Sequence, residues 1–186
     1  VKYTDILADF MVSGKIQQSH GLFWHCRSAA YYWGRGNGFA AMGLAETLTY
    51  LPDDHPQRPE IITMYGQLME SLRRLQHPSG MLNNVLDIQG SYLEFTATCM
   101  MGYAMARGIR LGFLSNDFRD AVDLAWQGID ERVGFVGNVV DSCASTGVQN
   151  NVREYLDRPA IFGFDDRSGG MALWFAVEAE RLGRGT

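Results

Sequence analysis

Apolar positions between residues 59 and 76 recur every three or four places: Ile61, Met64, Tyr65, Leu68, Met69, Leu72 and Leu75, with Glu60, Gln67, Glu70, Arg73 and Arg74 between them. That spacing predicts an amphipathic helix with one buried face, an outer member of a helical layer. From residue 96 to 106 the pattern changes. Ala97, Cys99, Met100, Met101, Tyr103, Ala104 and Met105 put apolar groups on every side, which predicts a helix buried all round, its methionines filling core. The two kinds alternate along the chain. Helix-like stretches at residues 4–18, 59–76 and 116–132 are each followed by a loop and a second helix rich in small residues, at 38–50, 92–109 and 168–182.

A short, similar segment follows each outer stretch. His20-Gly21-Leu22-Phe23-Trp24-His25 is the first, His77-Pro78-Ser79-Gly80-Met81-Leu82 the second, and Phe135-Val136-Gly137-Asn138-Val139-Val140-Asp141 a looser third. Gly21, Gly80 and Gly137 lie 59 and 57 residues apart. Self-similarity at a nearly fixed period predicts stacked helical hairpins. Inner helices ringed by amphipathic outer ones describe an all-α fold, an α/α toroid. Capping residues agree: Pro52-Asp53-Asp54-His55-Pro56 reads as a helix connection, Ser115-Asn116-Asp117 as an N-cap, and Gly108 as a C-cap.

Three hairpins do not close a ring. They leave an open arc with two apolar seams, which another stretch of polypeptide or a partner would cover. The start, Val1-Lys2-Tyr3-Thr4-Asp5-Ile6-Leu7, has neither an initiator Met nor a signal-peptide pattern and reads as the middle of a helix. The expectation is a single segment over residues 1–186, about half of a larger domain. It would need either an N-terminal half or a homo-oligomer partner.

Composition narrows the function classes. A net charge of −5 argues against a nucleic-acid surface, which needs a basic face. The longest nearly unbroken apolar run, residues 97–106, is too short to span a bilayer, which takes about 20 residues. Cys26, Cys99 and Cys143 are odd in number and form no CxxC pair, so neither a metal site nor a disulfide framework is indicated, and a reducing, cytoplasmic compartment fits.

The candidate chemistry sits in Trp33-Gly34-Arg35-Gly36-Asn37-Gly38-Phe39. Three glycines in five positions permit positive φ and close backbone approach. A guanidinium and an amide lie between two aromatic rings, a surface suited to a planar, polar, anionic ligand at the mouth of a helix. A tight turn before that helix is the plainer alternative. Gly36-x-Gly38-x-x-Ala41 also fits a loose dinucleotide fingerprint, but no strand precedes it and no alternating βαβ pattern surrounds it, so no cofactor is implied.

At these residues the chain resembles the unsaturated glucuronyl and rhamnogalacturonyl hydrolases, glycoside hydrolase families 88 and 105. Their W-x-R-x-N-G-W pattern is matched by Trp33, Arg35, Asn37 and Gly38, with Phe39 in place of the last Trp. Gly21-Leu22-Phe23-Trp24-His25, Leu51-Pro52-Asp53-Asp54-His55-Pro56, the segment from Ser91 to Thr98, Ala106-Arg107-Gly108-Ile109-Arg110 and Tyr155-Leu156-Asp157-Arg158-Pro159 match in order. The resemblance implies an (α/α)6 barrel, of which this chain covers the C-terminal half. It implies an oligosaccharide substrate that a polysaccharide lyase has left with a 4,5-unsaturated uronic acid at its non-reducing end. An aspartate protonates C4, water adds at C5, and the hemiketal collapses. The family's catalytic aspartates lie upstream of the matched segment, so no residue here inherits that role.

The residues carried over for substrate binding are Trp33, Arg35, Asn37, Phe39 and His25, with Glu94 added from the start of the inner helix. Against each stands a plainer reading: a structural ion pair for Arg35, a packed ring for Trp33, a hydrogen-bonded turn for His25. For Glu94 the alternatives are pairing with Arg35 or capping a helix end. A non-catalytic α/α repeat module that binds carbohydrate or protein is the competing functional class.

Overall fold

The computed structural model describes residues 16–184. The expected helix at residues 4–18 lies outside them as far as residue 15. Residues 16–18 are not helical, and Gln17 forms an antiparallel bridge with Phe23. The ordered elements are α1 (Gly34–Tyr50), α2 (Arg58–Leu75), β1 (Leu82–Asn83), β2 (Leu93–Glu94), α3 (Phe95–Leu111), a 3-10 turn (Asn116–Phe118), α4 (Arg119–Asp130), β3 (Val139–Cys143), α5 (Val152–Leu156), β4 (Ala160–Gly163) and α6 (Asp166–Arg184).

The inner helix α3 packs between α1 and α6, and the outer helices α2 and α4 back α1 and α3. As its all-round apolar pattern requires, α3 is buried from Phe95 through Gly108. Around it gather Leu44, Leu48, Tyr65, Leu68 and Phe175. Helix α2 starts with Pro59 and Glu60 and ends with Arg73 and Arg74, charges that complement its dipole. The C-cap expected at Gly108 belongs instead to Gly112, which adopts φ 80°. Gly108 lies inside the helix because a Cβ there would fall 2.2 Å from the Tyr65 hydroxyl. Two small antiparallel pairs, β1–β2 and β3–β4, tie the loops at the N-terminal ends of the inner helices.

The repeat is visible in its turns. Gly21, Gly80 and Gly137 adopt φ of 101°, 84° and 85°. Each N–H donates to the carbonyl three residues back: Gln18 at 2.8 Å, His77 at 2.7 Å and Gly134 at 2.8 Å. The first two turns lie against the next outer helix, where a Cβ on Gly21 would stand 2.2 Å from the Gln67 carbonyl oxygen and one on Gly80 1.9 Å from that of Leu124. A glutamine four residues before each glycine stitches the contact. Gln17 Nε2 donates to Gly21 O and Met64 O, both at 2.8 Å. Gln76 Nε2 donates to Gly80 O at 2.9 Å and Ala121 O at 3.0 Å.

The third turn has the same bend, and among the described residues no atom lies within 4 Å of a Cβ built on Gly137. The position four residues earlier is Val133, not a glutamine, and it is exposed. Beside it Phe135 and Val136 are exposed, and Trp126 and Leu173 present apolar surface to solvent along the α4–α6 edge.

This contrast sets an expected outcome. Gly80→Ala combines a left-handed residue, at about 1–2 kcal/mol, with overpacking against backbone, at about 1–3 kcal/mol. Gly137→Ala carries only the first cost. Urea denaturation should place Gly80→Ala well below Gly137→Ala in stability. Equal losses would mean that the first two turns are not sockets.

Candidate functional site

Trp33 immediately precedes α1, and its backbone bridges to Val85. The glycine-rich segment is the first turn of α1 itself, not a loop at its mouth, and none of its three glycines has positive φ. They are required by packing. A Cβ on Gly34 would stand 2.6 Å from Asn83 O, and one on Gly38 2.6 Å from the Met100 side chain. The reading of these glycines as a ligand cradle is therefore corrected: Gly34 and Gly38 let α1 close on β1 and α3, and Gly36 lies against the Trp33 ring.

Three of the expected binding residues are spent inside the fold. Asn37 is 1% exposed. Its Nδ2 donates to Phe23 O at 2.9 Å and Trp33 O at 3.1 Å, and its Oδ1 accepts from Phe23 N at 2.7 Å. It welds the first turn segment to α1. Glu94 is fully buried and caps α3. Its carboxylate accepts from Thr96 N at 2.8 Å, Ala97 N at 2.6 Å, the Thr96 hydroxyl at 2.7 Å and Cys143 N at 2.9 Å. Burial pushes its pKa up, while those donors pull it down. It makes no ion pair with Arg35. Trp33, at 7% exposure, joins Val85, Cys143 and Tyr155 in a small core rather than offering a face to a sugar.

Arg35, His25 and Phe39 remain. Arg35 is nearly buried, and its Nη1 donates to Cys143 O at 2.8 Å. Its guanidinium lies 5.9 Å from the centroid of Phe39, a ring that is 52% exposed. Among the described residues no carboxylate pairs with Arg35. A buried cation with donors to spare has capacity for an anion.

His25 is half-buried, with its ring 4.6 Å from that of Trp33. Its Nδ1 is 2.5 Å from the Tyr155 hydroxyl. Burial lowers its pKa, favouring the neutral imidazole. Tyr155, quoted in the sequence only as part of a matching segment, is thus a site residue that residue-level reasoning missed. It lies 130 positions from His25, and no local spacing could have joined them.

A second concavity, of 520 Å³, runs along the C-terminal halves of α1, α3 and α6, lined by Tyr50, Tyr103, Trp174, Arg107 and Glu178. Its charges are matched internally. Glu178, 1% exposed, pairs with Arg107 at 2.9 Å, Arg110 at 2.8 Å and Arg181 at 3.0 Å.

No group of three or more His, Cys, Asp or Glu side chains that could hold a metal occurs among the described residues. The three cysteines are unpaired. No described helix is long and apolar enough to cross a membrane.

The model of glycosyl hydrolase family 88 matches residues 16–183. The chain is 30% identical to the unsaturated rhamnogalacturonyl hydrolase YesR of Bacillus subtilis, over 79% of this chain and 41% of that protein. It is 35% identical to the 24.9 kDa protein in the picA locus of Rhizobium radiobacter, over 81% of this chain and 71% of that one. Among solved structures, a possible GH105 member from Salmonella enterica superposes with a TM-score of 0.84 at 22% identity, covering 95% of this chain and 48% of that one. The unsaturated glucuronyl hydrolase of Bacillus sp. GL1 gives 0.69 at 11% identity, covering 96% and 51%. These likenesses establish the α/α toroid fold, and the chain spans about half of each of those solved chains.

For Glu94, the amide of Glu94→Gln would turn an N–H₂ group toward at least one backbone donor that now has an acceptor. Losing that cap contact should cost about 1–3 kcal/mol. A thermal melt should shift down by several degrees, and an unchanged melt would show that the carboxylate does not hold α3.

Proposed function

The chain belongs to glycosyl hydrolase family 88, and from that membership we propose that it carries the uronate-recognising half of a glycoside hydrolase acting on unsaturated uronyl oligosaccharides left by polysaccharide lyases. The reaction is hydration of the 4,5 double bond, a proton to C4 and water to C5, followed by collapse of the hemiketal. The observation that carries the reading is Arg35, a nearly buried guanidinium with unclaimed donors beneath the exposed ring of Phe39. In this reading Arg35 meets the uronate carboxylate, Phe39 stacks on the sugar face, and His25 contacts a ring oxygen. Trp33, Asn37 and Glu94 hold those three in place. YesR, by its name, acts on rhamnogalacturonyl substrates, which makes an unsaturated galacturonyl-rhamnose the first ligand to test. The catalytic acid is not assigned to any residue of this chain.

A covering partner belongs to the same reading. The vacant third turn is a copy of two sockets already filled by outer helices, so the α4–α6 edge fits an outer helix supplied by a second copy of the chain. Sedimentation is expected to show self-association. A 20.8 kDa monomer that binds no apolar dye would rule the partner out.

Calorimetric titration with the unsaturated disaccharide tests the site itself. Arg35→Lys should weaken binding roughly ten- to a hundredfold, because Lys cannot reproduce a bidentate charge-assisted contact worth about 1.5–3 kcal/mol. Phe39→Ala should weaken it through lost stacking, whereas Phe39→Trp should be tolerated. The melting temperature of Arg35→Lys should stay near that of the parent. If the variant unfolds readily while its folded fraction binds normally, Arg35 serves only to hold Cys143.

A further inference from the structure

We propose that Tyr155 is a positioning residue that fixes His25 as the Nε2–H tautomer, so that the imidazole offers an N–H donor, not a lone pair, to an acceptor oxygen of the ligand. The role toward ligand rests on the reading of Arg35, Phe39 and His25 as a uronate site; the tautomer does not.

The Tyr155 hydroxyl has a single hydrogen to donate. Tyr155 is fully buried, in a cluster with Trp33, Val85, Cys143 and Tyr31. Burial raises its pKa, so the phenol keeps its proton. Two nitrogens approach its oxygen: His25 Nδ1 at 2.5 Å and, at a long 3.4 Å, the backbone N–H of Gln149. Gln149 can only donate. Of the two, His25 Nδ1 alone can accept.

If Nδ1 carried the imidazole proton, the phenol oxygen would receive two N–H groups and its own hydrogen would have no acceptor among the hydrogen-bond partners of the described residues. Buried polar hydrogens in folded proteins are rarely left so. With the hydroxyl donating, every group is satisfied: Nδ1 accepts, and the one imidazole proton resides on Nε2. The ring is held from two further directions. Its backbone N–H donates to Tyr31 O at 2.9 Å, and its face lies tilted on Trp33. The Tyr155 ring meets it edge-on at 77°. Nε2 has no protein partner among the described residues.

The consequence is a polarity for the contact. A ring locked this way donates to a hydroxyl, a ring oxygen or a carboxylate, and it cannot remove a proton from the ligand through Nε2. His25 then belongs to binding rather than to base catalysis.

Long-range ¹H–¹⁵N imidazole spectra of the chain, recorded above the pH at which histidine is neutral, read the tautomer directly. The chain has four histidines, and the signals lost in His25→Gln identify the relevant pair. The expected spectrum has an unprotonated Nδ1 and a protonated Nε2. In Tyr155→Phe, which keeps the ring and removes the hydroxyl, a measurable Nδ1–H population should appear without a change of fold. Affinity for the unsaturated disaccharide should fall about three- to tenfold, the worth of one ordinary hydrogen bond.

A protonated Nδ1 in the parent chain overturns the proposal, and so does an unchanged tautomer in Tyr155→Phe. The parent spectrum decides even if that variant fails to fold. A changed tautomer with unchanged affinity overturns the role toward ligand. Absence of any disaccharide binding by the parent refutes the uronate reading while leaving the tautomer result standing.

Discussion

The backbone of a single residue holds the candidate site together. The backbone of Cys143 is gripped at both ends by ionisable side chains: its N–H donates to Glu94 and its carbonyl accepts from Arg35. Glu94 caps α3, and Arg35 belongs to the first turn of α1. A single residue at the end of β3 thereby fixes the N-terminal ends of two inner helices against the segment that leads on to Tyr155. Charge-assisted bonds of this kind, shielded from water, are stronger than ordinary ones, and their loss strands the partner. The positions of His25, Phe39 and the guanidinium all follow from that grip.

The rest of the fold is a repeat with one copy left open. Gly21 and Gly80 bring a turn close enough to an outer helix that no side chain fits, and a glutamine crosses each junction. Gly137 has the same bend, with Val133 in the glutamine's place and, among the described residues, no helix against it. At positive φ a side chain brings a steric cost that glycine, having no Cβ, avoids. Its presence without a helix against it agrees with the apolar strip alongside: that edge has the shape of a junction. Stacked helical repeats bury their faces only against neighbours, so an end repeat must be capped or covered.

The architecture was legible because it rests on periodicity. The one-sided stripe of α2, the all-round apolar α3 and the glycine spacing each express a local rule, and each element formed where its pattern stood. The site was legible only as a motif. Reading Trp33 to Phe39 as a surface put Asn37 and Trp33 in contact with ligand, whereas burial and hydrogen bonding use both inside, and Glu94, added from the start of the inner helix, takes its alternative role as that helix's cap. Spacing cannot distinguish a side chain that frames a site from one that touches its occupant, since both lie at the same few positions. The three glycines misled for a related reason: close approach and positive φ call for the same residue, and only the packing of Gly38 on Met100 tells which was needed. Tyr155 was beyond reach altogether, because its partner lies 130 residues away.

The division between frame and contact has a physical rationale. A ligand that brings a carboxylate into a partly buried cleft must find a cation already in place, because reorganising a flexible side chain costs entropy at the moment of binding. Arg35 meets that condition through Cys143, and Phe39 limits its motion from above. Glu94 sits close by with the opposite tendency, a buried carboxylate whose charge would repel an anion. Its oxygens are turned into the α3 terminus and toward the Cys143 amide, where helix and peptide dipoles oppose that charge. The Arg35 guanidinium therefore stands without a pairing carboxylate among the described residues although Glu94 lies on the other side of Cys143. The same arrangement makes an isolated peptide spanning residues 33–39 a poor mimic of the site. Its cation would lack the Cys143 carbonyl that orients it, and its first turn would lack the Asn83 and Met100 contacts that its glycines are there to allow.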